Sequence, residues 1–203
     1  MTTFRAGAAS IPLEPPLDLP MVGFVRQKMG AQAYGIPLET SAIVFERDAV
    51  RVVLCGVDIV GITSPQVEAL IDRVAAATGA AHEGVLINWS HTHLAPPGGA
   101  LNGEIFGDIS DEGRRSIDAF ASVIQDKIVS VCKLAAERLE TARVVWGQEE
   151  VDLAVNRRER VEGGSILGWN PDELVDNQLT VLQARRPDES VIATLVGYGC
   201  HPV

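Results

Sequence analysis

Cysteine and positive charge are both scarce in this sequence. The three cysteines, Cys55, Cys132 and Cys200, lie far apart in 203 residues, whereas a disulfide scaffold needs more of them at closer spacing. Lys and Arg together number 17 against 27 Asp and Glu, which leaves a net charge of −10. Proteins that bind nucleic acid need clustered Lys and Arg to contact phosphates. The acidic balance therefore argues against nucleic acid as a partner.

Long apolar runs are absent as well. No stretch of the sequence approaches the roughly 20 apolar residues that a membrane-spanning helix needs. The first residues, Met1 to Arg5, lack the basic start and the apolar segment of a secretory leader. We therefore expect a cytoplasmic protein without a membrane span.

The rest of the composition is that of a globular protein. Hydrophobic residues make up 46% of the chain and charged residues 22%, which is typical of a chain that buries a core. No repeat or low-complexity segment divides the sequence. Its length fits one large domain or a part of a bigger one.

Apolar runs and helical periodicity predict both strands and helices. The expected strands cover residues 4–11, 42–46, 51–57, 85–89, 142–146, 179–184 and 191–196. Helices are expected at 64–79 and 111–139, the first with Ser64 as N-cap and Gly79 as C-cap. The run 51–57 is nearly all apolar and is expected to be buried on both faces. The alternation predicts an α/β fold, a mixed sheet with flanking helices.

Three of the four histidines follow predicted strands. His91-Thr92-His93 comes directly after the strand at 85–89, and His201 follows the strand at 191–196. If the first strand continues, its two imidazoles point to the same face. Ligands gather at strand ends in α/β sheets, and imidazole suits zinc. One interpretation is a metal site at these strand ends; the other is histidines that only bond backbone or cap loops. The fourth histidine, His82, is expected on the surface.

A loop rich in proline and glycine follows His93. Its sequence is Leu94-Ala95-Pro96-Pro97-Gly98-Gly99, in which the prolines fix the chain as it leaves the strand. Gly98 and Gly99 allow positive φ angles and a close approach of backbone to substrate. We therefore predict that both glycines bind substrate.

The segment Ser90-His91-Thr92-His93, with the loop after it, resembles the histidine signature of the neutral/alkaline ceramidase family. Other segments resemble that family in the same order along the chain. They are residues 5–11, 21–24, 57–58, 156–157, 176–182 and 200–202. The resemblance covers essentially the whole chain, and the histidine signature is its most specific part.

The resemblance implies a role for several residues. His91 and His201 would be ligands of a Zn²⁺ ion, and His93 would be a catalytic histidine beside it. Arg157 would bind or polarise the amide carbonyl, and Asn156 would contact substrate. A Glu and a Tyr from the family's C-terminal half would complete the zinc shell. Residues 1–203 would then be the N-terminal part of a ceramidase-like zinc hydrolase domain that is incomplete without a C-terminal segment.

The sequence departs from the family's pattern in the loop after His93. Leu94-Ala95-Pro96-Pro97 replaces the family's Ser-Gly-Pro-Gly, which stiffens the loop and puts the shape of the pocket in doubt. A small or medium amide is therefore expected as substrate, rather than a long-chain sphingolipid. Asp58, at a strand end, has two interpretations: it orients a ligand imidazole, or it is an ordinary loop carboxylate.

These observations predict a zinc-dependent hydrolase that cleaves a non-peptide amide bond with metal-activated water. One alternative is a non-catalytic binding or assembly subunit that contributes half a site to a partner chain. Another is a cysteine-dependent hydrolase that uses Cys200. Neighbouring residues of a strand point in opposite directions, so His201 would not activate Cys200, and a buried structural cysteine is the favoured interpretation.

Two residues after the final predicted strand, the sequence ends in Gly199-Cys200-His201-Pro202-Val203. A functional segment at the end of an apolar strand is an unusual place for a chain to end, because termini usually lie on the surface. We therefore expect that catalysis needs a further segment or a second subunit of the same enzyme, and that the protein is an oligomer.

Overall fold

A computed structural model of the chain describes residues 4–19, 21, 35–99 and 110–201. The segment 21–24 of the family resemblance therefore lies mostly outside the described residues, as does Pro202. Contacts divide the chain into a first unit that extends to Arg143 and a second unit, Val144–His201.

In the described residues, the first unit is a mixed five-stranded sheet with two α-helices. The sheet order is β4-β3-β2-β1-β5, with β3 and β4 parallel and the other pairs antiparallel. In chain order the elements are β1 Arg5–Pro12, β2 Glu39–Arg47, β3 Val50–Val57, α1 Ser64–Thr78, a short 3-10 helix His82–Gly84, β4 Val85–Trp89, α2 Asp111–Glu137 and β5 Glu140–Thr141. The α/β prediction is confirmed.

Both helices begin and end at identifiable caps. Thr63, not Ser64, is the N-cap of α1, and its hydroxyl donates to Oε1 of Gln66 at 2.8 Å. The helix ends at Gly79, whose φ of 72° is favourable for a residue without a side chain. The α2 helix starts where the Ser110 hydroxyl accepts a hydrogen bond from the Gly113 amide at 3.1 Å.

One apolar face of the sheet packs against the helices. In register across the sheet, Val44 lies beside Val53 and Val53 beside Val85, and all three are buried. They share a core with Leu70 and Val74 of α1 and with the predicted stripe of α2. The buried residues of that stripe are Ile117, Phe120, Ile124, Ile128, Val131 and Ala135.

The prediction that residues 51–57 are buried on both faces is wrong. Val53, Cys55 and Val57 are buried, but Val52 between them is 40% exposed, and Leu86 on the same face of neighbouring β4 is 60% exposed. The helices cover only the face to which Val53 belongs. In this strand, an unbroken apolar sequence therefore does not mean that both faces are buried.

The second unit contains strands alone. A three-stranded sheet has the order β10-β9-β6, and β7 and β8 form a separate antiparallel hairpin. The strands are β6 Arg143–Glu150, β7 Arg158–Val161, β8 Gly164–Leu167, β9 Gln178–Arg185 and β10 Val191–Gly197. The hairpin turns at Gly163, which has a φ of 85°. The sequence pattern did not predict it, because β7 is mainly charged and neither strand is buried.

Among the described residues, no helix combines the length and the apolar character that crossing a membrane requires.

At Gly7, β1 lies very close to the C-terminal end of α2. A Cβ on Gly7 would lie 2.2 Å from the Ala135 carbonyl oxygen and 2.8 Å from the Arg138 carbonyl carbon. Since both atoms are backbone, we expect Gly7→Ala to lower the free energy of unfolding by about 3 kcal/mol. Gly56→Ala is the matched control, because a Cβ there meets nothing within 4 Å. Urea denaturation measures both, and equal effects would contradict the packing argument.

His82 joins the 3-10 helix to α1 through two carboxylates. Its Nδ1 lies 2.8 Å from Asp72 and its Nε2 lies 3.3 Å from Glu68. The hydrogen bond with Asp72 raises the pKa of His82; desolvation opposes this rise, and the negative charges of Asp72, Glu68 and Glu83 add to it. Its stabilising effect is therefore complete below the pKa in the unfolded chain and is lost as pH rises through the higher pKa in the folded protein.

We accordingly expect His82→Gln to destabilise the protein more at about pH 5 than at about pH 9, on either side of the range in which histidine titrates. Urea denaturation at the two pH values gives the comparison. In an Asp72→Asn background the pH dependence of the His82→Gln effect should shrink. A loss that is the same at both pH values would show that the carboxylates do not stabilise the charged imidazole.

Candidate active site

The parallel pair β3–β4 places the histidine loop. Just beyond the strands, the amide of Ser90 donates to the Val57 carbonyl and the amide of His91 donates to the Ile59 carbonyl, both at 3.0 Å. The chain that leaves β4 therefore runs beside the chain that leaves β3. This is the carboxyl edge of a parallel pair, where ligand sites of α/β sheets are commonly found.

His91 and His93 come together through a turn rather than through a strand. β4 ends at Trp89, and His91 has a φ of 60° in the left-handed region. The expectation that a continued strand aligns the two imidazoles is therefore wrong, although the rings are adjacent, with centroids 5.2 Å apart and planes at 64°. Left-handed residues other than glycine cost of order 1 kcal/mol and cluster at functional sites.

The ring of His91 is oriented by a backbone carbonyl. Its Nδ1 lies 2.9 Å from the carbonyl oxygen of Val60. A carbonyl oxygen can only accept, so Nδ1 carries the proton and, in the neutral ring, Nε2 carries the lone pair. Histidines that bind metals typically donate their other ring nitrogen in this way. His91 thus has the tautomer that a metal ligand needs.

Asp58 does not perform the orienting role at this edge. Its carboxylate accepts a hydrogen bond from the Glu39 amide at 3.0 Å, and its own amide donates to the Glu39 carbonyl at 3.0 Å. These bonds hold the end of β3 to the start of β2. They support the interpretation of Asp58 as a loop carboxylate, since Val60 orients the imidazole.

The hydroxyl of Ser90, directly before His91, is buried. Its oxygen has no hydrogen-bond partner among the residues that the structure describes. A buried polar atom without a partner costs about 1–3 kcal/mol, and such atoms are rare outside functional sites. The buried Ser90 hydroxyl and the left-handed backbone of His91 both indicate a functional constraint on this loop.

The loop after His93 is packed against the protein. Residues 95–99 are buried, whereas Leu94 is 65% exposed. A Cβ on Gly98 would lie 2.3 Å from Cδ1 of Ile59, and one on Gly99 would lie 2.7 Å from Oε1 of Gln66. Neither glycine has a positive φ, so that part of the sequence argument is wrong. Both glycines have a packing role, and their contact with substrate stays a prediction.

Asn156 and Arg157 lie together in the second unit, just before β7. The Asn156 side chain donates to the Leu174 carbonyl at 3.0 Å and accepts from the Arg158 amide at 2.8 Å. Arg157 is exposed, and its Nε donates to the Gly168 carbonyl. The turn at Gly168-Trp169-Asn170-Pro171 was missed in the sequence, although its Gly, Asn and Pro are typical turn residues.

Cys200 and His201 follow β10 but do not continue it. The strand ends at Gly197, and the Cys200 amide donates to the Tyr198 carbonyl at 3.0 Å in a tight turn. Both Cys200 and His201 are exposed. The argument from alternating side chains of a strand does not apply here, and the interpretation of Cys200 as a buried structural cysteine is wrong.

The other two cysteines are shielded from solvent. Cys55 and Cys132 are buried in the core of the first unit. The hydrogen bond with Cys55 and burial both raise the pKa of Cys132, which keeps that thiol protonated and weakly nucleophilic. Cys200 is therefore the one cysteine with the exposure that a nucleophile needs.

The packing role of Gly98 is testable by a compensating substitution. We expect Gly98→Ala to cost about 1–3 kcal/mol of unfolding free energy, because its Cβ would overlap Cδ1 of Ile59. Ile59→Val removes that methyl group, so the double variant should lose less stability than the two single variants added together. Urea denaturation of the four proteins gives the coupling energy. Additive losses would show that Gly98 is not there for packing.

No family model and no curated protein matches this chain. Solved structures do resemble it, among them two ceramidases. One is a ceramidase in complex with C2, with a TM-score of 0.74 and 21% identity, covering 99% of this chain and 32% of the solved chain. The other is neutral ceramidase from Pseudomonas aeruginosa, with a TM-score of 0.71 and 19% identity, again covering 99% of this chain and 32% of the solved chain.

The likeness extends over both units, and the chain spans about a third of the length of the two solved proteins. At this level of identity the likeness establishes the fold. The resemblance that the histidine signature indicated is confirmed in that respect: this chain has the fold found in neutral ceramidases.

Proposed function

We propose that this chain is part of a zinc-dependent amide hydrolase, with His91 and His201 as metal ligands. The observation that carries the proposal is the state of His91. A left-handed backbone and a bond from Nδ1 to the Val60 carbonyl hold its imidazole in the tautomer of a metal ligand. The ceramidase fold supplies the reaction class, because ceramidases hydrolyse an amide bond.

The donor set fits zinc. His91, His93 and His201 would offer imidazole nitrogens, which are preferred zinc ligands. When bound, zinc would activate water for attack on the amide carbonyl. The remaining ligands would come from polypeptide outside this chain.

His93 would transfer a proton to the leaving nitrogen, and Arg157 would stabilise the negative charge that develops on the carbonyl oxygen. His93 lies beside His91, with its ring 5.2 Å away, which suits a group that transfers a proton to the leaving nitrogen. Arg157 is exposed and has its Nε tied to the Gly168 carbonyl. Its remaining N–H groups are suited to donate to the carbonyl oxygen as negative charge develops on it.

The substrate proposed is an amide with a small or medium acyl group. The loop residues that depart from the family's pattern are residues 94–97, and Leu94 alone among them is not buried. Any effect of this departure on substrate contact would therefore come mainly from Leu94. An assay of ceramides against short N-acyl compounds separates the two substrate classes. Preferred turnover of long-chain ceramide would overturn this choice.

Zinc content and rate of the full-length protein test the proposal. We expect His91→Ala and His201→Ala to lose bound zinc and amidase activity together, because each removes a ligand. His93→Gln should retain zinc but lower kcat by about 10²- to 10⁴-fold, as expected for loss of a proton-transfer group. The readouts are metal analysis of the purified protein and steady-state kinetics on an N-acyl substrate.

His82→Ala is the matched control, since His82 is an exposed histidine that Asp72 and Glu68 hold on another part of the first unit. Zinc content and kcat should be unchanged in that variant. Cys200→Ala should also keep its kcat, and a large loss there would favour the cysteine-dependent mechanism. Full zinc content in either His91→Ala or His201→Ala would refute the proposed ligand set.

A further inference from the structure

The chain around Arg157 is fastened to the turn at 168–174 from both sides. On the N-terminal side, the Asn170 amide donates to the Asn156 carbonyl at 3.0 Å, and the Asn156 side chain donates to the Leu174 carbonyl at 3.0 Å. At the centre, the Gly168 amide donates to the Arg157 carbonyl at 2.9 Å. The backbone around Arg157 is therefore held by hydrogen bonds that do not involve the Arg157 side chain.

A second asparagine holds the C-terminal side. The Asn170 side chain donates to the Arg158 carbonyl at 2.8 Å, and the Asn156 side chain accepts from the Arg158 amide at 2.8 Å. Both backbone groups of Arg158 are thus bonded by carboxamides. Asn156 and Asn170 together bridge the residues before and after Arg157 to the same turn.

Within the part of the chain that the structure describes, the side chain of Arg157 is anchored at one nitrogen. Its Nε donates to the Gly168 carbonyl, which uses one of the five N–H donors of the guanidinium and fixes the plane of the group. Of the four N–H donors on the terminal nitrogens, one is parallel to the Nε–H and three point in other directions, because the guanidinium is a planar fork. A group held in this way is prepared to bond a ligand oxygen with its outer nitrogens.

The nearby carboxylates have other partners. Glu159 accepts from the Trp169 amide at 3.3 Å, and Glu173 pairs with Arg160 at 3.3 Å. Neither forms an ion pair with Arg157. The turn thus presents a cation whose orientation is fixed by neutral amides and backbone carbonyls.

We propose that Asn156 and Asn170 are positioning residues that hold Arg157 in the orientation in which its terminal nitrogens bond the carbonyl oxygen of the substrate amide. The inference rests on the proposed function, which gives Arg157 that oxygen to bond. In this inference Asn156 positions Arg157 and does not itself contact the substrate. Asn170 becomes a further residue of the site. Small displacements of such a donor are costly, since about 1 Å can lower a rate by about 100-fold.

A double-mutant cycle in the full-length protein separates positioning from a general loss of structure. We expect Asn170→Ala and Asn156→Ala each to lower kcat on an N-acyl amide by about 10- to 100-fold, the range expected for a misplaced donor. In an Arg157→Ala background, each should have almost no further effect on kcat, because the group that it positions is gone. Losses of the same size in both backgrounds would overturn the inference while leaving the proposed function standing.

Gln148→Ala is the matched control. Its side-chain amide also bonds within the second unit, to Gln178 and Thr180 at 3.1 and 3.0 Å, but does not contact the Arg157 segment. It should reduce stability about as much as Asn170→Ala does, since each loses side-chain amide hydrogen bonds, and it should leave kcat unchanged. A similar drop of kcat in Gln148→Ala would mean that any loss of an amide bond in this unit slows the reaction.

Amide hydrogen exchange gives a readout that does not depend on activity. The Gly168 and Asn170 amides should exchange faster in Asn156→Ala and Asn170→Ala than in the unsubstituted protein and in Gln148→Ala, because the bridge to the Arg157 segment is weakened. Unchanged exchange in both asparagine variants would refute the bridging role. An unchanged kcat in Arg157→Ala itself would overturn both this inference and the role that the proposed function gives to Arg157.

Discussion

The parallel pairing of β3 with β4 determines where the histidine loop lies. Five residue pairs, from Val53 with Val85 to Val57 with Trp89, align the two strands, and the alignment continues past their ends in the backbone bonds of Ser90 and His91. Because the strands run in the same direction, the carbonyl of Val60 after β3 comes within reach of the ring of His91 after β4. The orientation of that imidazole is thus a consequence of strand register.

Close packing of residues 95–99 limits which residues of the loop after His93 are exposed. The Ala95–Gly99 segment is buried against the start of α1 and the residues that precede it, with Gly98 at Ile59 and Gly99 at Gln66. Gln66 also forms the cap of α1 with Thr63. The proline- and glycine-rich sequence is therefore explained by close packing, whereas His91 and Leu94 in the same region are exposed.

The elements with strong local signals were predictable from the sequence. β4 occupies the predicted residues, and the predicted stripe of α2 is buried throughout, because apolar periodicity reports the face that a helix or strand buries. The exposed second face of β3 was not predictable, since it depends on which neighbours cover it. The β7–β8 hairpin was missed for a related reason: its strands are held by backbone pairing without burial.

For the candidate site, the sequence indicated which residues take part but not which groups orient their side chains. His91 and His93 were identified correctly as neighbours, yet the left-handed turn that joins them has no signal in His-Thr-His. The carbonyls of Val60 and Gly168 carry no side-chain information at all, and they are the groups that hold His91 and Arg157. Asp58, the carboxylate that the sequence offered as a support, bonds Glu39 instead.

His91 and Arg157 share one physical arrangement, although they belong to different units. In each, the side-chain nitrogen nearest the backbone donates to a main-chain carbonyl. A carbonyl oxygen is neutral at every pH, so these two hydrogen bonds do not depend on the ionisation of a carboxylate. Main-chain carbonyls are common to all residues, and the fold alone determines which of them lies beside a given side chain. The sequence pattern therefore cannot indicate these hydrogen bonds.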